Sequence, residues 1–181
     1  MRSIFLILIF FLIFLQKQAF TEPKIIKKIS DIKNFAFDFE QLINDKKETG
    51  NCIISFNDKM VCKYDETGKL IVSNGKTLLI KNKNSNFANT YKTENTYFKY
   101  FLNKGFLISK IKGNVVEKEQ NFLLSINDQS NRLNIFFDKN NHLIKGWETV
   151  DLYGNKVRTN IVVKNINQEL SDSIFNLNLN N

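Results

Sequence analysis

The sequence has few of the residues on which active sites and metal centres are usually built. It contains one histidine, two cysteines and seven glycines among 181 residues. Two cysteines and one histidine do not fill the four-ligand set of a structural zinc site. The lone His142 lies beside a polar turn, and no Gly-x-Ser-x-Gly segment indicates a serine–histidine–aspartate triad. The glycines occur singly rather than in a phosphate-binding loop. We therefore expect no catalytic centre, no cofactor and no metal.

The basic residues are also not clustered in the sequence. The net charge is +8, yet the lysines are spread along the chain and fall on polar strand faces. Proteins that bind nucleic acids concentrate basic residues in one patch or stripe, so we expect no nucleic-acid partner. Carboxylates are numerous, but no two of them form an acid–base arrangement that the sequence reveals. These features favour a binding protein over an enzyme.

The only long hydrophobic run lies at the N-terminus. Residues 4–15 are 12 consecutive apolar residues. A membrane span needs about 20 such residues, whereas the core of a signal peptide is shorter. Small residues near Thr21 suit cleavage there, so we predict a signal peptide over residues 1–21 and a single domain over residues 22–181. An uncleaved membrane anchor is the alternative. No cysteine follows the run as a site for lipidation, and we expect a soluble, exported protein.

Alternation of apolar and polar residues predicts β-strands along most of the remaining chain. The clearest stretch is 133–163, which contains three strands joined by polar turns. An Asn-Gly pair within residues 70–80 predicts a hairpin with a type I′ turn. Counting shorter segments, among them 107–110 and 171–177, we expect ten or eleven antiparallel strands. A sheet of that size tends to curl.

Few residues are left to cover the apolar face of this sheet. Apolar spacing predicts short amphipathic helices around residues 25–32 and 97–102, and polar loops at 44–49 and 81–90. Two short helices are too small to cover ten or eleven strands, although an apolar face must be covered by something. The mismatch suggests a hydrophobic ligand cavity. The candidate lining residues, chosen for their shared strand face or helix face, are Phe37, Phe39, Ile54, Met60, Tyr64, Leu78, Tyr97, Phe98, Phe101, Leu124, Ile135 and Trp147.

The two cysteines fall on the apolar faces of neighbouring strands, at residues 51–56 and 59–64. A three-residue loop between these strands would place Cys52 directly opposite Cys62. Export permits a disulfide. The usual cross-strand Cβ spacing of about 4.5–5.5 Å is slightly wide for one. A disulfide and a pair of buried thiols both remain open at this point.

Four segments occur in an order that covers nearly the whole predicted domain. They are a helix-to-strand entry that ends in residues 37–41, a strand at 59–65 that ends in Tyr-Asp, the hairpin at 70–80, and the stretch at 133–163 that leads to Phe175. Together they resemble the periplasmic outer-membrane lipoprotein carrier (LolA) family. The resemblance implies a mainly β fold with short helices, in which a curved antiparallel sheet forms an incomplete, half-open β-barrel with a helical lid over a hydrophobic cavity.

The resemblance also implies a function and partners. Members of the family shuttle acylated lipoproteins through the periplasm, from an inner-membrane ATP-driven release complex to an outer-membrane acceptor. We expect a monomer with this role. Relatives usually have Arg-Pro just before the strand at 59–64, where the arginine ties the sheet to the lid. This chain has Phe56, Asn57 and Asp58 there, so the latch is absent or replaced. The usual Thr-Pro opening of the lid helix is Thr96-Tyr97.

Two alternatives share this architecture. One is a module that senses lipids or lipoproteins and regulates an envelope response, and the other is a carrier of different amphiphilic lipids. The outer-membrane acceptor is itself a lipoprotein and needs a cysteine just after its signal peptide. This chain has none there, which favours the carrier.

Overall fold

A computed structural model describes most of the predicted domain. The described residues are 21–44, 46–56, 58–83, 87–128, 131–151 and 154–177. Nearly all of the predicted signal peptide lies outside them, as do Asn57 and Tyr153, both of which fall in predicted turns. None of the helices in these ranges has both the length and the apolar character to cross a membrane.

The described strands form one antiparallel sheet, as predicted. Its eleven strands are β1 Asn34–Ile43, β2 Lys46–Ser55, β3 Lys59–Tyr64, β4 Leu70–Asn74, β5 Thr77–Lys81, β6 Ala88–Lys92, β7 Val115–Glu117, β8 Phe122–Asp128, β9 Asn131–Phe137, β10 Ile144–Val150 and β11 Lys156–Ile166. Their spatial order is β6-β5-β4-β3-β2-β1-β11-β10-β9-β8-β7. Strands β6 and β7 are the two edges and do not pair with each other, so the sheet is not closed into a barrel.

Short helices connect the two edges. Between β6 and β7 the chain forms a 3-10 turn (Thr93–Asn95), helix α2 (Phe98–Leu102) and helix α3 (Lys104–Ile111). The first helix, α1 (Thr21–Asp31), precedes β1 and packs against α3. A connection between the edges of an incomplete barrel has to pass its open side, which places these helices over the concave face.

Two predicted strands are helical instead. Residues 107–110 belong to α3, where the Asn103 side chain caps the helix by accepting a hydrogen bond from the Phe106 backbone N–H at 2.8 Å. A short apolar run does not by itself distinguish a strand from a helix. The segment 171–177 does not add a strand, since it contains a 3-10 turn (Asp172–Phe175) that lies against β3 and β4.

Two predicted loops contain strands. Strand β2 begins at Lys46, inside the predicted loop at 44–49, and β6 begins at Ala88, inside the predicted loop at 81–90. Both segments are polar. Strand β2 pairs with β1 as far as Ile43 and Lys46, and β6 pairs with β5 as a polar edge strand. Pairing in the sheet therefore makes these polar segments strands although their composition predicts loops.

The predicted type I′ turn at Asn74-Gly75 is also wrong. Gly75 has a φ of 100°, but Asn74 does not share the positive φ that this turn requires. The Asn74 side chain instead accepts hydrogen bonds from the backbone N–H groups of Lys76 and Thr77, at 3.1 and 3.0 Å. This side-chain turn widens the loop, and the nearest pair beyond it is Ser73 with Leu78.

One half of the concave face is a solid core beneath α1 and α3. Ile25 and Ile29 of α1 are almost fully buried with Leu107 and Ile111 of α3. The sheet residues buried in the same cluster include Leu124, Leu133, Ile135 and Phe137. This packing fixes α1 and α3 to the sheet and leaves α2 over the other half.

Cys52 and Cys62 are directly opposite each other in the register of β2 and β3. Their sulfur atoms form a disulfide, and their Cα atoms are 4.1 Å apart. Both side chains are buried on the concave face. The bond therefore ties two neighbouring strands beneath the helices.

We expect the disulfide to stabilise the fold by constraining the unfolded chain. For a sequence separation of 10, the loop-entropy model gives about 2–3 kcal/mol. Urea unfolding of the Cys52→Ala/Cys62→Ala variant should show this loss. Reduced wild type should show a similar loss, which separates the bond from the packing of the sulfur atoms. Reduction should raise the intact mass by about 2 Da, and an unchanged mass would mean free thiols.

Candidate functional site

A small cavity lies between the concave face and the lid segment, by which we mean residues 93–102. Its volume is about 20 Å³. The residues that line it are Phe37, Phe39, Gln41, Cys52, Ile54, Met60, Cys62, Tyr64, Ile71, Tyr97, Phe98, Phe101, Trp147 and Thr159. The walls are therefore mainly aromatic and aliphatic.

Aromatic contacts join the lid segment to the sheet. Phe101 packs on Trp147 with ring centroids 4.7 Å apart, and Trp147 meets Phe37 edge to face at 6.1 Å. The ring centroids of Tyr97 and Phe101 are 6.3 Å apart. Because Phe101 lies directly on Trp147, the lid segment is held by the same surface that lines the cavity.

A glycine shapes one end of the cavity floor. Phe39 and Tyr64 pack with their centroids 4.8 Å apart, beside Gly50, which is opposite both residues in the sheet. A Cβ atom on Gly50 would lie 2.7 Å from the Phe39 ring and 2.1 Å from the Lys63 carbonyl oxygen. The missing side chain therefore allows the Phe39 ring to lie against the sheet.

The cavity is almost filled by the protein's own side chains. A volume of 20 Å³ is about the room for one water molecule, whereas ligand pockets usually measure about 300–1,000 Å³. Any long apolar ligand would have to displace Tyr97, Phe98 and Phe101. Two open grooves of about 520 and 560 Å³ occur elsewhere on the sheet. The first is lined mainly by polar residues, and the second by aliphatic and polar residues in similar numbers.

Nine of the twelve candidate lining residues meet at this cavity. Leu78, Leu124 and Ile135 do not line it, and all three are buried in the core. The prediction missed Ile71. It also missed Gln41 and Thr159, which are polar residues on otherwise apolar strand faces. Their alternation with Phe39 and Ile161 places them on the concave side, so the period of two was the available signal.

The missed polar residues form a buried hydrogen-bond chain. The Tyr64 hydroxyl donates to Gln41 Oε1 at 3.3 Å, and Gln41 Nε2 donates to Thr159 Oγ1 at 3.0 Å. Burial raises the pKa of Tyr64, and neighbouring Tyr97 and Glu48 add to the increase. Burial also raises the pKa of Tyr97. Both phenols therefore stay neutral at physiological pH.

A partly buried ion pair lies next to this hydrogen-bond chain. Glu48 is opposite Gln41 in the sheet, and its carboxylate accepts a hydrogen bond from Lys69 Nζ at 2.8 Å. Lys69 Nζ also lies 3.7 Å from the centre of the Tyr64 ring. Burial by itself would raise the pKa of Glu48, but the hydrogen bond and charge of Lys69, with the charge of Lys46, lower it below 4.5.

Hydrogen bonds between uncharged groups anchor the lid segment near the position where relatives usually have the arginine latch. The Ser73 hydroxyl donates to the Asp58 carbonyl oxygen at 3.2 Å and lies 3.3 Å from the Thr93 hydroxyl oxygen. The Thr93 backbone N–H donates to the Lys76 carbonyl oxygen at 2.9 Å. Ser73 and Thr93 are both buried. The start of the lid segment is thus fixed to β4 and to the turn before β3.

The lone histidine lies away from the cavity. His142 sits in the turn before β10 with a φ of 62° and stacks on Phe122 at 5.9 Å. Partial burial lowers its pKa, and Lys24 and Lys28 add to this, although Asp138 opposes it. Across the ranges that the structure covers, no three His, Cys, Asp or Glu side chains are grouped as metal ligands would be.

The architecture and cavity define a class of protein, an open antiparallel half-barrel whose apolar concave face is covered by short helices. The chain belongs to the family of the outer membrane lipoprotein carrier protein LolA, because that family's model matches residues 30–178. The resemblance seen in the sequence is therefore confirmed, together with the expected half-open sheet.

Several solved structures are similar to this chain. A LolA superfamily protein from Nitrosomonas europaea shares 11% identity over 86% of this chain and 97% of that chain, with a TM-score of 0.45. A putative outer membrane lipoprotein-sorting protein domain from Vibrio parahaemolyticus shares 10% identity over 86% and 96%, with a TM-score of 0.48. The MucA/MucB complex structure from Pseudomonas aeruginosa shares 8% identity over 86% and 59%, with a TM-score of 0.33. At these values the likenesses add no argument about function. Comparison with curated proteins finds no match.

The ion pair at Glu48 should make stability depend on pH. A lowered folded-state pKa contributes stability that is present above 4.5 and lost as the pH falls through the folded value. Glu48→Gln should cost about 1–3 kcal/mol at pH 7. The difference in unfolding free energy between Glu48→Gln and wild type, measured by urea unfolding, should become smaller below the pKa that Glu48 has in the unfolded chain.

The exposed pair of Glu40 and Lys47 provides a control. Glu40→Gln should change stability by less than about 1 kcal/mol at any pH. A Glu48→Gln deficit that is constant across the acid range would show that the lost charge is not its cause.

Proposed function

We propose that this protein is a periplasmic carrier that binds the acyl chains of lipoproteins released from the inner membrane and transfers them to an outer-membrane acceptor. The observation that carries the proposal is the shared apolar surface, where the lid aromatics Phe98 and Phe101 occupy space against the concave face. The same surface is suited to acyl chains. Family membership supports this assignment.

The physical need for such a carrier follows from the cost of exposing acyl chains to water. Each CH₂ group costs about 0.8 kcal/mol, so a chain of about 16 carbons costs roughly 12 kcal/mol. A lipoprotein does not cross an aqueous space unaided at that cost. A carrier that buries the chain against aromatic and aliphatic walls removes most of it.

Release without ATP requires that binding stays below its maximum strength. Here the lid segment and the ligand compete for one surface, because the closed form leaves only about 20 Å³. The affinity for cargo is reduced by the free energy of lid closure. A receptor that binds the chains more strongly can then remove them while the lid closes behind them.

The proposed partners are acylated lipoproteins, an inner-membrane ATP-driven release complex and an outer-membrane acceptor. The carrier acts as an exported monomer. A shuttle assay would use inner-membrane vesicles that contain the release complex, ATP and a labelled lipoprotein. The protein should bring labelled lipoprotein into the soluble fraction. If the label stays in the vesicles while a known carrier releases it, the shuttle proposal is wrong.

Cargo binding should alter the fluorescence of Trp147, the only tryptophan. Phe101 has to move off the indole when an acyl chain enters. Titration with a diacylated lipopeptide should therefore change the emission wavelength and intensity in a saturable way. The same peptide without acyl chains should have no effect.

A charge on the cavity side of the lid should weaken binding. Phe98→Glu places a carboxylate against apolar walls and should reduce lipopeptide affinity at least about tenfold. Phe87→Glu is a matched control, because Phe87 is 84% exposed. Equal affinities for the two variants would contradict a ligand site beneath the lid.

Loosening the lid should have the opposite effect. Ser73→Ala removes hydrogen bonds to Asp58 and Thr93. The closed form then loses about 1 kcal/mol, and lipopeptide affinity should rise up to about fivefold. Ser125→Ala, which removes an exposed hydroxyl bonded to Asn134, should leave affinity unchanged. Weaker binding by Ser73→Ala would show that closure assists cargo rather than competing with it.

A further inference from the structure

A row of concave-face residues crosses the sheet beneath the lid segment. Trp147 on β10 is opposite Thr159 on β11. Thr159 is in turn opposite Gln41 on β1. All three line the cavity, and neighbouring strands are about 4.8 Å apart. The floor of the apolar cavity therefore contains a short polar row.

Trp147 contributes a hydrogen-bond donor that has no acceptor. Its Nε1 atom is buried, and no described residue accepts a hydrogen bond from it. The aromatic rings that pack on the indole are those of Phe37 and Phe101, which offer no oxygen or nitrogen. An indole N–H can only donate, and a buried donor without an acceptor lowers stability.

Thr159 contributes a second donor next to the first. Its hydroxyl oxygen accepts a hydrogen bond from Gln41 Nε2 at 3.0 Å. Gln41 is held in this orientation because its own Oε1 accepts from the Tyr64 hydroxyl. The Thr159 hydroxyl hydrogen remains, and among the residues of known position none accepts it. Thr159 is 1% exposed, so water at the protein surface does not reach it.

We propose that Trp147 Nε1 and the Thr159 hydroxyl form a subsite for the carbonyl oxygen of an acyl chain, in an ester or an amide. The inference rests on the proposed function, since a bound acyl chain is what brings a carbonyl group into this cavity. Two neutral donors suit a neutral acceptor. A free carboxylate fits less well, because the Glu48 carboxylate lies at the end of the same row, beside Gln41.

The subsite is covered in the closed form. Phe101 lies on Trp147 at 4.7 Å, so a carbonyl group reaches the indole only after the lid segment has moved. The two donors then gain an acceptor in the loaded form alone. Hydrogen bonding by the two donors fixes the position of the carbonyl end of the acyl chain on the floor of the cavity. An alkyl chain without a carbonyl has no such fixed position.

The test compares ester-linked and ether-linked lipids of equal chain length. Each has two chains of about 16 carbons, and the ether lacks only the carbonyl oxygens. Affinity is measured by displacement of an apolar fluorescent dye from the full-length mature protein. Wild type should bind the ester about tenfold more tightly, as expected for one or two hydrogen bonds.

The variants Trp147→Phe and Thr159→Val delete the two donors and keep an aromatic and a β-branched side chain at these positions. Each should lower the ratio of ester affinity to ether affinity from about tenfold toward one. The ratio is the readout, because both residues line the cavity and a change in packing alters the affinity for both lipids alike. Thr149→Val is the matched control. Thr149 is a buried threonine on the same face of β10, but it does not line the cavity. Its substitution should leave the ester preference unchanged.

The outcomes separate this inference from the proposed function. If wild type binds neither lipid, the cavity does not hold acyl chains, and both proposals fail. Tight binding of both lipids without preference would overturn the subsite alone. A preference that survives in Trp147→Phe and Thr159→Val would overturn it too. The ester-linked and ether-linked chains are compared on two head groups, a lipopeptide and a phosphoglycerol. The head group that shows the ester preference identifies the source of the acyl carbonyl, and a preference on either one supports the subsite.

Discussion

The structure depends on one constraint, the need to shield the concave face of a sheet that does not close. Strands β6 and β7 remain edges, so the apolar residues of the nine strands between them face an open side. The chain between these edges supplies α2 and α3, and α1 packs against α3. One half of the face becomes solid core, and the other half is covered only by the short lid segment. The difference between these halves creates the candidate site.

The lid is held by interactions that are individually weak. Aromatic contacts of Phe101 with Trp147 and neutral hydrogen bonds of Ser73 replace the arginine that the family comparison led us to expect. Neutral hydrogen bonds contribute about 0.5–1.5 kcal/mol each. Under the proposed function, a cover of this strength closes the apolar surface in the absence of ligand and yields when acyl chains offer a larger apolar contact. The disulfide then keeps the floor fixed while the cover moves.

The sequence predicted the sheet well where local patterns and pairing agree. Alternating residues in β9, β10 and β11 gave correct strands, and the spacing of the cysteines gave their register. Predictions failed where pairing partners decide the outcome. Polar β6 is a strand because β5 pairs with it, and residues 107–110 are part of helix α3, whose start is capped by Asn103. Nine candidate residues meet at the cavity, yet Leu78, Leu124 and Ile135, chosen by the same criterion, do not line it.

The sequence alone determined the alternation of strand faces and the family, because these depend on residue type and spacing along the chain. Tertiary structure decided which half of the concave face is filled. It also decided that the disulfide forms and that Gln41, Thr159 and Trp147 lie side by side. The contact of Gln41 with Thr159 joins residues 118 positions apart in the chain. Register across the β1–β11 pair sets this contact, and no local pattern contains that information.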